Sequence, residues 1–195
     1  MKIGVDIDGV IINFEKELKV YAELFTFVEL NRNIPTDKSE FLVQFRHGWS
    51  DKEFEDFGKK YFMEISRRTD FLPGAVDVLK KLKKDGHELI IISARGTIIE
   101  EMKDVALERF KKVGLKFDNY YWNQQDKVKV ALNEKLDFMI DDNPDHCKKL
   151  VDAGIKSLFF RDSGTRELSE SDSLFEVNNW GEIYKIITLE SKKNG

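Results

Sequence analysis

The chain has 195 residues, 41% of them apolar and 35% charged, which is ordinary for a globular protein long enough to bury a core without staples. Its 32 basic residues against 36 acidic ones leave a net charge of −4, and this excludes a strong electrostatic grip on a nucleic acid polymer. One cysteine, Cys147, excludes an internal disulfide and a cysteine-built metal site, and no apolar run approaches the roughly 18 residues of a membrane span. The N-terminus meets Asp6 and Asp8 at once, so no signal-peptide core is expected, and the expected location is cytoplasmic, away from membranes.

Short apolar runs alternate with amphipathic stretches, which predicts an α/β fold, a Rossmann-like parallel sheet with helices on both faces. Strands are expected at 2–5, 88–92, 117–122, 137–140 and 155–160. Residues 14–72 break the alternation and hold 12 of the 23 aromatics. A connection this long is no simple crossover, so it is expected to form a small helical cap, with 1–13 and 73–195 as the core domain. Inside it, Ser50-Asp51-Lys52-Glu53 reads as a capping box. Further helices are expected at 75–84, stopped by Gly86, and at 98–113, closed by Gly114. Another opens at Pro144 and stops at Gly154, and Trp180, Ile183, Tyr184 and Ile187 share one face of a last helix.

Polar clusters follow three of the strands: Asp6-Ile7-Asp8-Gly9, Ser93-Ala94-Arg95-Gly96 and Asp141-Asp142-Asn143. Ligands of open parallel sheets bind beyond the carboxyl ends of the strands, so these groups are expected at one edge. Two carboxylates about 4 Å apart repel by roughly 4 kcal/mol at an effective dielectric of about 20. Gathering four of them calls for a hard cation such as Mg²⁺, and Mg²⁺ in turn calls for a phosphate-like substrate. One carboxylate of the Asp6/Asp8 pair is placed to form an aspartyl-phosphate, the other to move a proton to the leaving group and later from water. The Ser93 hydroxyl, the backbone N–H groups from Ala94 onward and the point charge of Lys127 suit a transferring phosphoryl group.

In chain order, Asp6-x-Asp8-Gly9, Ser93, Lys127 and Ile140-Asp141-Asp142 resemble the four motifs of the haloacid dehalogenase-like phosphohydrolases, over nearly the whole chain. Phe71-Leu72-Pro73-Gly74-Ala75, Ser93-Ala94-Arg95 and Asn179-Trp180-Gly181-Glu182-Ile183-Tyr184 are most similar to the cytosolic-type 5′(3′)-deoxyribonucleotidases and their bacterial relatives. The resemblance implies Asp6 as nucleophile and metal ligand, and Asp8 as general acid/base with its backbone carbonyl on the metal. It implies Ser93 and Lys127 as phosphoryl binders, Asp141 as a Mg²⁺ ligand, and Asp142 as a helper, directly or through water. Val10 departs from the threonine common in the first motif, and Lys129 stands near enough to compete with Lys127, which spacing favours.

The function expected is a Mg²⁺-dependent phosphatase acting on a small phosphomonoester, a nucleoside monophosphate first and a sugar phosphate second. A non-catalytic metal- or ligand-binding module is the alternative from another class. A phosphorylated receiver would carry its acidic pair first, and no Gly-x-x-x-x-Gly-Lys-[Ser/Thr] loop occurs. Phe45, Arg46 and Trp49 are the candidate substrate contacts in the cap, and Arg95 the candidate beside the phosphate. His47, His87 and His146 lack ligand spacing and are expected at the surface, and Cys147 is expected to pack. A homo-oligomer stays open.

Overall fold

Among the described residues, the strands form one parallel sheet of six, in the order β3-β2-β1-β4-β5-β6. They are β1 (Lys2–Val5), β2 (Glu88–Ile92), β3 (Asn119–Tyr121), β4 (Phe138–Asp141), β5 (Lys156–Phe160) and β6 (Leu174–Val177). The computed structural model describes residues 1–161, 168–169 and 171–193. Leu89–Ile92 and all of β4 are buried, because helices cover both faces of the sheet. Successive residues feed opposite layers: Leu89 and Ile91 pack with Leu79, Phe110 and Ile183, whereas Ile90 and Ile92 pack with Ala131 and Leu150.

The helices are α1 (Phe14–Leu24), α2 (Val43–Arg46), α3 (Asp51–Arg68), α4 (Ala75–Lys84), α5 (Met102–Lys112), α6 (Val128–Glu134), α7 (Pro144–Asp152) and α8 (Trp180–Lys193), with a π-helical turn at Phe25–Glu29. None of the described helices is long and apolar enough to cross a membrane. The Ser50–Glu53 capping box is formed in both directions at the start of α3, and Asn143 caps α7 ahead of Pro144. Two elements were absent from the sequence reading. One is β6, an edge strand of four residues, and the other is α6, which opens on Lys127 with no capping side chain. Helix α5 also begins at Met102 rather than 98, and β3 covers only part of 117–122.

Residues 14–72 leave and rejoin the rest of the chain at one stem. Ile12 and Phe71 pair as an antiparallel bridge, the Asn13 N–H donates to the Asp70 carbonyl at 2.9 Å, and Leu72 N–H donates to Ile11 at 2.8 Å. The aromatics of this insert mostly serve its own packing: Phe25, Trp49, Phe57 and Tyr61 meet edge-on or tilted, and α3 lies against α5. The histidines correct an expectation, since His47 and His87 are 2% and 6% exposed. His47 is drawn in by Thr26, whose Oγ lies 3.0 Å from its Nδ1, and His87 is held at the entry to β2 by an N–H bond to the Leu82 carbonyl.

Candidate active site

The register of the sheet brings the acidic motifs together. Val5 pairs with Ile140, and the Asp6 N–H donates to the Ile140 carbonyl at 3.0 Å, so Asp6 leaves β1 beside Asp141 at the end of β4. The chain turns one way from β1 to β2 and β3 and then crosses to β4, which makes the β1/β4 boundary the switch point where doubly wound sheets bind ligands.

Carboxylate oxygens of Asp6, Asp141 and Asp142 all lie within 4.8 Å of one another. Lys127, buried at the start of α6, donates to Asp141 Oδ2 at 2.7 Å and lies 3.0 Å from Asp6 Oδ2. Lys129 is exposed on α6, two residues along. The other Asp141 oxygen accepts the Asn143 N–H at 2.9 Å, and His146 Nδ1 stands 3.4 Å from Oδ2, so this histidine faces the acids and is not a surface residue. Gly9 makes the crowding possible. Its φ of +75° is a left-handed turn, and a Cβ there would lie 1.9 Å from Asp142 Oδ2. Trp180 of α8 donates its indole N–H to the Val10 carbonyl at 2.9 Å and holds this loop from behind, a support that the apolar spacing of α8 did not announce.

The groups titrate according to their partners. Burial would raise Asp141, but Lys127 and His146 outweigh it and hold it down to about 2. Burial would lower Lys127, yet Asp141 and Asp6 keep it protonated far above neutrality. Burial pushes Asp6 up, with Lys127 opposing and Asp141 and Asp8 adding to it, and burial plus Asp6 and Asp141 pushes Asp142 well up. Among the described residues, Asp6 Oδ1 is buried with no hydrogen-bond partner. A carboxylate oxygen left bare in an acidic cluster is the signature of a place for a cation, and three oxygen donors at this spacing fit a hard divalent ion.

The remaining candidates fall into distinct places. Ser93 is buried, and its Oγ accepts the Arg95 N–H at 3.3 Å in the turn after β2, while Ala94 and Arg95 line the cavity above the acids. The side chain of Asp8 stands outside the carboxylate group and is gripped by Arg95 at 2.6 and 2.8 Å. Phe45, Arg46 and Trp49 do not line the cavity. Phe45 points to solvent, 55% exposed. Arg46 spends its donors on Glu15 and on the Phe41 and Glu40 carbonyls, and the Trp49 indole donates to Thr26 inside the insert. Their place on the wall is taken by Phe14, Phe41, Phe54 and Phe62, with Leu18, Val43 and Ile98. Phe54 and Phe62 stand two turns apart on α3 with Gly58 between them, and a Cβ at Gly58 would lie 3.0 Å from Ile98 Cγ2. That gap between two phenylalanines was the sequence signal for the face turned toward the core. The cavity measures about 580 Å³, in the range of small-molecule sites.

The family model described as 5′ nucleotidase, deoxy (Pyrimidine), cytosolic type C protein matches residues 1–194. The protein named "Putative nucleotidase BH1399" of Halalkalibacterium halodurans is 21% identical over 195 residues, 100% of this chain and 96% of that one. Among solved structures, the haloacid dehalogenase-like family hydrolase SP0104 of Streptococcus pneumoniae superposes with a TM-score of 0.69 at 15% identity, over 95% of this chain and 97% of that one. The HAD-hydrolase YfnB of Bacillus subtilis, solved bound to magnesium, gives 0.61 at 16% identity, over 95% and 97%. The fold is thus that of the haloacid dehalogenase-like hydrolases, and the enzyme class is phosphomonoester hydrolase on a small phosphorylated substrate. From Met1 to Asn194 the chain belongs to the cytosolic type C 5′-nucleotidase family.

Proposed function

We propose that the protein is a Mg²⁺-dependent nucleotidase that hydrolyses (deoxy)nucleoside monophosphates through a phosphoryl group carried on Asp6. The observation that carries this reading is the buried, partnerless Asp6 Oδ1 inside the carboxylate group that Lys127 bridges. Asp6, Asp141 and Asp142 would hold the ion, with the backbone carbonyl of Asp8 beside them. When bound, the ion supplies positive charge to the phosphoryl oxygens and offsets the repulsion between the acids.

An Asp6 oxygen attacks phosphorus, the bond from phosphorus to the ester oxygen breaks, and Asp8 gives its proton to that oxygen, so the nucleoside leaves as an alcohol. Asp8 then takes a proton from water as the water oxygen attacks the phosphorus of the aspartyl-phosphate, which releases inorganic phosphate and restores Asp6. Lys127 and the backbone N–H groups after Ser93 hold the phosphoryl oxygens.

The insert of residues 14–72 acts as the cap that keeps bulk water out. The ring-lined wall of Phe14, Phe41, Phe54 and Phe62 favours a flat, apolar-faced nucleobase over a sugar hydroxyl surface, which asks for polar partners. The cytosolic type in the family's description supports a cytoplasmic location.

The test is phosphate release from a panel of nucleoside and sugar monophosphates, with and without Mg²⁺. Nucleotide turnover that EDTA abolishes, and that Asp6→Asn lowers by about a thousandfold or more, is the expected result. Sugar phosphates as the better substrates would overturn the substrate assignment, and full activity in Asp6→Asn would overturn the nucleophile.

A further inference from the structure

We propose that Arg95 is a positioning residue that sets the orientation of Asp8 for proton transfer, and not a ligand of the substrate's phosphate. The inference rests on the hydrolytic reading above. The Arg95 side chain is fully buried. Its Nε donates to Asp8 Oδ2 at 2.8 Å and its Nη2 to Asp8 Oδ1 at 2.6 Å, a two-bond fork that fixes the plane of the carboxylate. Its Nη1 donates to Ser66 Oγ at 2.8 Å and reaches the Met102 carbonyl at 3.4 Å. The guanidinium stands 5.6 Å from the Phe14 ring centre. Of the five N–H donors that a guanidinium offers, these contacts engage all but one, so little is left for a phosphate.

The anchoring comes from two directions. Ser66 lies on α3 of the insert, and Met102 opens α5 of the core. Arg95 is therefore gripped by both parts of the molecule while it holds the proton-carrying acid. Each carboxylate oxygen has a second acceptor site besides the one the fork uses. The Asp8 side chain is 30% exposed and borders the cavity, so an edge of it remains open to a leaving group. A lysine would bring the charge but not the plane, because a compact ammonium makes no rigid fork.

The experiment compares Arg95→Lys and Ser66→Ala with the wild type on a deoxynucleoside monophosphate and on p-nitrophenyl phosphate, with inorganic phosphate as competitive inhibitor. An alkoxide needs a proton to leave, whereas nitrophenolate departs without one. In Arg95→Lys, kcat/KM for the nucleotide is expected to fall about 100-fold, the scale of a misaligned general acid, and for the aryl ester less than about tenfold. The inhibition constant of phosphate stays within about twofold. Ser66→Ala, which removes one anchor and almost no volume, repeats the asymmetry at roughly threefold to tenfold and decides the matter if Arg95→Lys does not fold. A phosphate inhibition constant that rises tenfold or more would make Arg95 a phosphate ligand and overturn the proposal. Equal losses on both esters, or no asymmetry in Ser66→Ala, would reduce it to a structural residue. A wild-type enzyme that releases phosphate from neither ester would overturn the hydrolytic reading, and this proposal with it, a result distinct from any pattern among the variants.

Discussion

At Gly9 an added methyl would lie 1.9 Å from Asp142 Oδ2, on a backbone already at φ +75°. Gly9→Ala therefore strains the turn and pushes Asp142 away from its neighbours. The expected outcome is a Mg²⁺ affinity lowered by about ten- to a hundredfold in a calorimetric titration, with a lower melting temperature. An affinity equal to wild type would show that Asp142 takes no part in holding the ion. The turn itself was legible in Asp6-Ile7-Asp8-Gly9, because a glycine after the two carboxylates lets the backbone turn sharply. The neighbours of each acid were not legible. That Arg95 faces Asp8 depends on how the turn after β2 seats against α3 and α5, and that His146 faces Asp141 depends on how α7 packs on the sheet. Phe45, Arg46 and Trp49 lie off the cavity wall for a related reason: an aromatic or a cation in a helical insert satisfies its own interior first, and spacing alone does not tell the inner face from the cleft face.

Inside the insert, Thr26 joins the π-helical turn to the loop around α2. Its single hydroxyl proton goes to the Ala22 carbonyl at 2.8 Å, and the Trp49 indole can only donate, so His47 Nδ1 must donate to Thr26 Oγ as the neutral Nδ1–H tautomer. Burial lowers the His47 pKa from its ordinary value of 6.5. Between that lowered value and about 6.5 the unfolded chain binds the proton that the folded chain refuses, so the contribution to stability is present above about pH 6.5 and is lost as pH falls. Thermal melts at constant ionic strength should show a declining midpoint below about pH 6.5, and His47→Gln should flatten that decline. An unchanged slope in the variant would contradict the assignment.

Among the elements, legibility followed periodicity and punctuation. The strands at 2–5 and 88–92 and the helix bounded by Pro73-Gly74 and Gly86 matched, because short apolar runs and clear punctuation dominate there. Strand β6 and helix α6 are short and partly exposed, so their patterns stay weak and the neighbouring β5 and α7 stabilise them.

For the whole molecule, the decisive feature is that the strand order places β1 between β2 and β4, so three motifs far apart in sequence end at one rim. That these motifs share one edge of a parallel sheet was legible in the sequence, whereas the strand order and the register that sets Asp6 beside Asp141 had to be observed. If the rim binds Mg²⁺ in the folded state only, the ion should raise the melting temperature, by about 2.7 kcal/mol of stability at a concentration about 100 times its Kd. That gain should shrink in Asp6→Asn. The stem at Ile12 and Phe71 ties the insert to the loop that carries Asp8 and Gly9.

The most direct test of the central claim, that Asp6 takes the phosphoryl group beside a Mg²⁺ ion, is a crystal structure grown with Mg²⁺ and beryllium trifluoride as a phosphoryl mimic. The account predicts beryllium bonded to a carboxylate oxygen of Asp6, the ion touching Asp6 and Asp141, and Lys127 within hydrogen-bond reach of a fluorine. Beryllium bound to any other group, or an ion seated away from Asp6 and Asp141, would contradict it.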